Sequence, residues 1–177
     1  NKVTYFDLSQ QEGSGDIGLM MQLLFSEVYQ VAKETDEKVI FVIDEAHYLM
    51  KDAETLDFLE TAVRHSRHLD LSINFVTQTI QEFFSHEKSK AIAQNCSLKL
   101  FQRTESGISD EIAKTLDLNP SEVEYIRNAQ AGSEELGYSE ALLSVGSKGY
   151  VPIQVVASEL EESIIDYKNT NPETTDT

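Results

Sequence analysis

The chain has 177 residues, 40% of them hydrophobic and 25% charged, which suits one domain of ordinary size with a real core. The longest clean apolar run, Val39 to Ile43, is far too short to span a membrane, and Cys96, the only cysteine, excludes an internal disulfide and a cysteine cluster for zinc. The net charge of −17 arises from 31 acidic and 14 basic residues and repels nucleic acid in general, so any DNA contact has to come from a local basic patch, a ring pore or sequence outside this chain. A reducing cytoplasm is the simplest setting for such a composition, and Cys96 reads as a small core residue. The chain starts Asn1-Lys2, with neither an initiating Met nor a signal peptide, and we read it as a piece of a longer protein.

In chain order, Lys2 to Leu8 reads as a strand, and Gln10 to Gly15 as a polar, Gly-containing loop. Asp16 to about Glu34 is helical in pattern, with Ile17, Met21, Leu24, Val28 and Val31 on one stripe, and Thr35-Asp36-Glu37 breaks it. Lys38 to Ile43 is a continuous β-branched and aromatic run, the pattern of a parallel strand buried on both faces. A helix is expected over Ala53 to His68, with Leu56, Leu59 and Val63 inward. A second buried strand is expected from Leu71 to Thr77, a short helix from Ser85 to Gln94 and a third strand of the same kind from Ser97 to Gln102.

Past Thr104 the character changes. Ser109 to Leu116 and Pro120 to Ala129 read as two short helices, the second with Asn119 as N-cap, Pro120 at its first position and Glu122 completing a capping-box arrangement. Glu140 to Val145 and Tyr150 to Ala157 flank Gly146-Ser147-Lys148-Gly149 as a hairpin. Leu160 to Tyr167 reads as a last short helix, and 169–177 as a polar disordered tail. Strands alternating with helices give an α/β, doubly wound pattern.

The residues that carry chemistry sit at strand ends. Val39 to Ile43 delivers two adjacent carboxylates, Asp44 and Glu45, at its C-terminal end, the edge where open α/β sheets bind ligands. Nucleotide hydrolysis needs one acid to hold Mg²⁺, usually through water, and a second group to orient the attacking water. Asp44 suits the first role, and Glu45, on the other side of the pleat, the second; the bland alternative is an exposed Asp-Glu turn after a core strand. Thr77-Gln78 ends the next strand on the same edge, placed to sense a γ-phosphate or to position water, although Thr-Gln is also ordinary strand-end chemistry. Arg64 and Arg67, three apart on the preceding helix, offer bidentate phosphate contact or a finger to a neighbour's nucleotide, against the plain alternative of cations favoured at a helix C-terminus. Arg103 closes the Ser97 to Gln102 segment, either at the same edge or in solvent. His65 and His68 have i, i+3 spacing, and no third metal ligand joins them or His47.

The ordered set VIFVIDEAHYLM, an R-x-x-R helix, INFVTQT, NCSLKLFQR and GYSEALLSVGSKGYVPIQVVAS resembles the C-terminal half of the ATPase core in the FtsK/HerA superfamily, with the conjugation and type IV secretion ATPases as the nearest branch. The resemblance runs over about Val3 to Glu162. It implies a RecA-like P-loop NTPase fold, ATP and Mg²⁺ as cofactors, and a hexameric ring that couples hydrolysis to moving DNA or protein, with DNA and secretion-channel proteins as partners and the inner face of the membrane as the working place. It matches Asp44 to the Mg²⁺-associated Walker B acid, Glu45 to the catalytic glutamate, Gln78 to the nucleotide-sensing glutamine, and Arg64 or Arg67 to the arginine acting across the subunit interface.

One departure is large. The family's G-x-x-x-x-G-K-[ST] loop cradles the phosphates with backbone N–H groups and a Lys. Here Gly13-Ser14-Gly15 is the only Gly-rich piece before Asp44 and no Lys-Ser/Thr follows it, while Gly146-Ser147-Lys148-Gly149 has the wrong order. The expectation is a core incomplete at its N-terminal side that binds ATP poorly alone. The competing reading is a non-catalytic, ATPase-like interaction module. A helicase of another superfamily also uses Asp-Glu-Ala-His, but the Ser/Thr-Ala-Thr stretch usual after that strand is missing here.

Overall fold

A computed structural model describes residues 3–8, 14–51, 53–133 and 136–163. They divide into two compact units, Asn1–Asn95 and Cys96–Thr177.

In the first unit, helix α1 (Ser14–Glu34) leads through a short break into β1 (Val39–Ile43), then a 3₁₀ turn (Ala46–Met50) and helix α2 (Ala53–His65). A second 3₁₀ turn (Ser66–Leu69) enters β2 (Leu71–Phe75), followed by a single helical turn α3 (Ile80–Phe83) and helix α4 (Glu87–Asn95). β1 and β2 pair in parallel, from Val39 opposite Leu71 to Ile43 opposite Phe75. That is the arrangement expected of β-branched and aromatic runs joined by a helical crossover.

The core lies where α1 and α2 meet β1. The Phe25 ring stands edge-on to Phe58 at 5.3 Å and tilts against Phe41 at 5.6 Å, and Tyr29 meets Phe58 at 5.9 Å. Leu49, Met50, Leu56 and Leu59 are fully buried beside them. The α1 stripe is offset from the expected one. Phe25, Tyr29 and Ala32 are buried, whereas Val31 is exposed, because the aromatic side chains reach the sheet and turn the helix toward them.

Several expectations are corrected here. Residues 3–8 form no strand, because no other described segment supplies a ladder to them, and Val3 and Tyr5 lie open to solvent. Helix α1 begins at Ser14 rather than Asp16, and the rest of the expected polar loop lies outside the described residues. β1 is not buried on both faces. Phe41 faces the helices, but Ile40 is 74% and Val42 59% exposed, since the helices that pack on this two-stranded sheet cover the Phe41 side. The Ala53 to His68 helix ends at His65 and tightens into a 3₁₀ turn, closed by Asp70 in the left-handed region at φ 47°. Helix α3 is absent from the sequence reading.

In the second unit β3 (Leu98–Phe101) is followed by α5 (Ser106–Leu116), α6 (Pro120–Asn128), β4 (Ser139–Val145) and β5 (Tyr150–Val155). The sheet order is β3-β4-β5, antiparallel throughout. The expected third parallel strand is therefore an antiparallel one, because its ladder partner is the first strand of the hairpin, and Leu98 and Leu100 are exposed. The hairpin itself forms as expected, with Gly146 at φ 55° and Gly149 at φ 94° turning the chain. Ile112, Val123, Ile126, Ala141 and Leu142 make its core, and the Tyr150 hydroxyl donates to the Leu116 carbonyl at 3.0 Å. Cys96 is half-buried, and that burial pushes its thiol above the ordinary value. Residues 159–163 are helical; the remainder of the expected Leu160 to Tyr167 helix and the 169–177 tail lie outside the described residues.

The α6 cap is formed as the sequence implies. Asn119 Oδ1 accepts from the N–H groups of Ser121 at 3.0 Å and Glu122 at 3.1 Å, and Glu122 Oε2 accepts from the Asn119 N–H at 2.8 Å. Replacing Asn119 by Ala removes that acceptor and should cost about 1 kcal/mol. Thermal unfolding of Asn119→Ala followed by circular dichroism should show Tm lower by about 2–4 °C; an unchanged Tm would contradict this account of the cap.

Candidate functional site

The site is built by backbone pairing that continues past the ends of β1 and β2. The Val76 N–H donates to the Ile43 carbonyl at 2.9 Å, and the Ala46 N–H donates to the Val76 carbonyl at 2.9 Å. These two bonds hold the Asp44-Glu45 turn against Thr77-Gln78. The two polar pairs expected on one sheet edge are therefore side by side.

The route by which the two carboxylates separate differs from the expected one. The strand ends at Ile43, and Glu45 adopts the left-handed region at φ 48°, ψ 43°, rather than alternating on the pleat. For a residue with a Cβ this conformation costs roughly 1–2 kcal/mol. The turn is closed by Asp44 Oδ1, which accepts from the Glu45 N–H at 2.9 Å, and by the Glu45 carbonyl, which accepts from the Tyr48 N–H at 3.1 Å. Asp44 is left exposed, while the Glu45 side chain swings inward.

Glu45 then meets two side chains, Gln78 and His47. Its Oε1 accepts from Gln78 Nε2 at 3.2 Å. Its Oε2 lies 3.2 Å from His47 Nδ1, yet this buried oxygen makes no aligned hydrogen bond. His47, itself buried, has Nδ1 3.4 Å from the Thr77 hydroxyl and Nε2 3.9 Å from Glu82 Oε2. Glu82 Oε2 is also 3.2 Å from Lys51 Nζ. Sequence reasoning considered His47 only as a metal ligand and missed Glu82. The signal for His47 was its place two residues after Glu45, at the start of a turn that packs inward. Nothing in the sequence marks Glu82, because its position depends on α3.

The other candidates are placed elsewhere. Arg64 is near the end of α2, with its guanidinium 2.6 Å from Glu60 one turn earlier. Arg67 lies in the following 3₁₀ turn and not on the same helix face, because α2 has already ended. Both precede the N-terminal end of β2, whereas Thr77-Gln78 follows its C-terminal end, so the strand's length separates them within the unit. Arg103 belongs to the second unit, exposed just after β3, at a cleft of about 570 Å³ that Thr104, Ser106 and Arg127 also line. Arg127 is engaged by Ser109 Oγ at 2.7 Å and by Asp110.

The donors around Asp44 suit the metal side of a Mg²⁺–nucleotide site. A hard cation that keeps most of its waters takes one or two carboxylates and completes its shell with phosphate. An exposed Asp44 with a second carboxylate adjacent fits that pattern. No group of three or more His, Cys, Asp or Glu among the described residues offers an all-protein cage. The chain has no phosphate-cradling sequence, so the fit is to the metal side of a nucleotide site only.

A mixed α/β unit with polar pairs at the C-terminal ends of two parallel strands is one of the standard frames for nucleotide chemistry. No protein-family model matches the chain, and no curated protein matches it. Among solved structures, VirB4 of Thermoanaerobacter pseudethanolicus is similar with a TM-score of 0.76 and 19% sequence identity, over 89% of this chain and 42% of that one. The chain thus spans less than half the length of that VirB4 chain. The likeness is one of fold: the chain shares the fold of that part of VirB4. No helix among the described residues is long and apolar enough to cross a membrane.

The strain at Glu45 has a measurable consequence. Glu45→Gly and Glu45→Ala both remove the carboxylate, but only Gly accepts φ 48° without penalty. Glu45→Gly should be the more stable of the two by about 1 kcal/mol in urea unfolding. Equal midpoints, or a more stable Ala variant, would contradict the left-handed turn.

Proposed function

We propose that this chain is the Mg²⁺- and water-handling part of a hexameric ATPase of the conjugation and type IV secretion type, within the FtsK/HerA superfamily and its RecA-like fold. The observation that carries the reading is the Glu45 carboxylate held by Gln78 at the C-terminal edge of the β1–β2 pair. In this reading Asp44 holds the Mg²⁺ through water and Glu45 orients the attacking water. Gln78 couples Glu45 to the state of the γ-phosphate, since a single amide can serve the carboxylate and a phosphate oxygen in turn. This reading requires a G-x-x-x-x-G-K-[ST] loop, which this chain does not contain, to cradle the phosphates.

Arg64 and Arg67 lie away from the chain's own Asp44 edge, which suits a role at a neighbouring subunit's nucleotide. Arg103, exposed on the second unit just after β3, is proposed as a nucleotide contact from its place at a strand end alone. Hydrolysis in such a ring drives movement of DNA or protein at the inner face of the membrane. The net charge of −17 makes nonspecific DNA affinity for this part of the surface unfavourable, so contact with a nucleic-acid substrate falls to other surfaces.

The decisive variant is Glu45→Gln in the native polypeptide. It keeps the side chain's shape and its bond with Gln78 while removing the charge that orients water. ATP binding should persist within a few-fold, and steady-state hydrolysis should fall by at least about 100-fold, on the order of a lost catalytic base. Normal turnover in Glu45→Gln would contradict the assignment of Glu45 as the group that orients water.

A further inference from the structure

The Glu45 site contains a side chain whose placement is not accounted for by metal binding or by Gln78. His47 sits two residues beyond Glu45, in the 3₁₀ turn, between two carboxylates. Its Nδ1 is 3.2 Å from Glu45 Oε2, and its Nε2 is 3.9 Å from Glu82 Oε2. Both of those oxygens are buried, and neither makes an aligned hydrogen bond. A buried carboxylate oxygen such as Glu45 Oε2, left without an aligned donor, is unfavourable by about 1–3 kcal/mol or more. His47 Nδ1, 3.2 Å away, is the ring nitrogen that faces Glu45 Oε2, whereas Glu82 Oε2 has the Lys51 ammonium at 3.2 Å.

The ring itself is fixed from every side the structure describes. His47 is only 8% exposed, and the neighbouring Ala46, Leu49 and Met50 are fully buried. Its ring lies 4.4 Å from that of Tyr48, tilted by 32°. Thr77 Oγ1, 3.4 Å from Nδ1, is itself tied to the backbone by accepting from the Thr79 N–H at 3.1 Å. On the far side, Lys51 Nζ holds Glu82 at 3.2 Å and stands over the Tyr48 ring at 4.9 Å. The order of groups is Lys51, Glu82, His47, Glu45, Gln78, with the accessible end at Asp44 and Gln78.

We propose that His47 is a positioning residue for hydrolysis. Its imidazole, backed by Glu82, fixes the Glu45 carboxylate by Oε2 and so keeps Oε1 aimed at Gln78 and at the water to be activated. Each carboxylate oxygen accepts two hydrogen bonds, so Oε1 retains a lone pair for water after bonding Gln78. A glutamate in the left-handed region has no helix or strand neighbours to set its rotamer, and His47 supplies that constraint. The inference rests on the reading of Glu45 as the group that orients water.

The test uses steady-state ATP hydrolysis and thermal melting of the native polypeptide, with Glu45→Gln alongside. His47→Leu fills the space without a donor. Its kcat should fall about 10- to 100-fold, the usual range for loss of an orienting partner, with KM for ATP within about twofold because ground-state binding is untouched. His47→Asn places an amide N–H near the Nδ1 position and should restore most of kcat. His47→Gln places it near Nε2 instead and should remain at least about fivefold below Asn. That comparison survives even if the Leu variant fails to fold, since both amide variants keep a polar group in the pocket. Equal rates for the Asn and Gln variants, or a normal kcat in His47→Leu, would overturn the positioning role. An inactive Glu45→Gln together with a normal His47→Leu would remove this inference alone, whereas an active Glu45→Gln would remove the assignment of Glu45 as the group that orients water and this inference with it.

Discussion

The parallel pairing of β1 with β2 is the constraint on which the candidate site depends. The ladder runs from Val39 opposite Leu71 to Ile43 opposite Phe75 and is extended by the Val39 N–H to the Asp70 carbonyl at one end and by the Ile43–Val76–Ala46 bonds at the other. Side chains alternate along a strand with period two, so a one-residue slip would turn Phe41 away from Phe25 and withdraw Glu45 from Gln78. The aromatic contacts of Phe25 with Phe41 and Phe58 therefore secure more than the core. They fix the register that brings an Asp-Glu turn and a Thr-Gln turn together.

From that register the chemistry follows in short steps. The left-handed turn at Glu45 separates two adjacent carboxylates, leaving Asp44 toward solvent and carrying Glu45 inward. Strain held at such a position is tolerated when surrounding structure over-determines it. Here the determinants are Gln78, His47 and the backbone bonds on either side of the turn. The chain is strongly acidic as a whole, yet this corner places His47 and Lys51 among its carboxylates, so the local arrangement differs from the global charge.

Much of this was legible in the sequence, and the failures are instructive. The β-branched run ending in Asp44-Glu45, the run ending in Thr77-Gln78, the Asn119 capping box and the Gly146-Ser147-Lys148-Gly149 hairpin all depend on local chemistry, and all were readable. Exposure and pairing depend on what lies alongside. Val39 to Ile43 has the composition of a strand covered on both faces, yet Ile40 and Val42 are open. Leu98 to Phe101 has the same composition, yet its partner is the antiparallel β4. His47 and Glu82 were hidden for another reason. They are 35 residues apart in sequence and meet only because α3 follows β2 directly, a contact with no periodic signature.

The central claim is that Asp44, Glu45 and Gln78 surround the reacting end of a nucleotide. The most direct measurement is a structure of the native polypeptide with Mg²⁺, ADP and a fluoroaluminate that mimics the transferred phosphoryl group. The account predicts the Glu45 carboxylate within about 3 Å of the water in line with the aluminium, the distance a general base requires, with Asp44 bonded to a water of the Mg²⁺ shell. A nucleotide bound with its phosphates away from the β1–β2 edge, or a Glu45 carboxylate out of reach of that water, would contradict it.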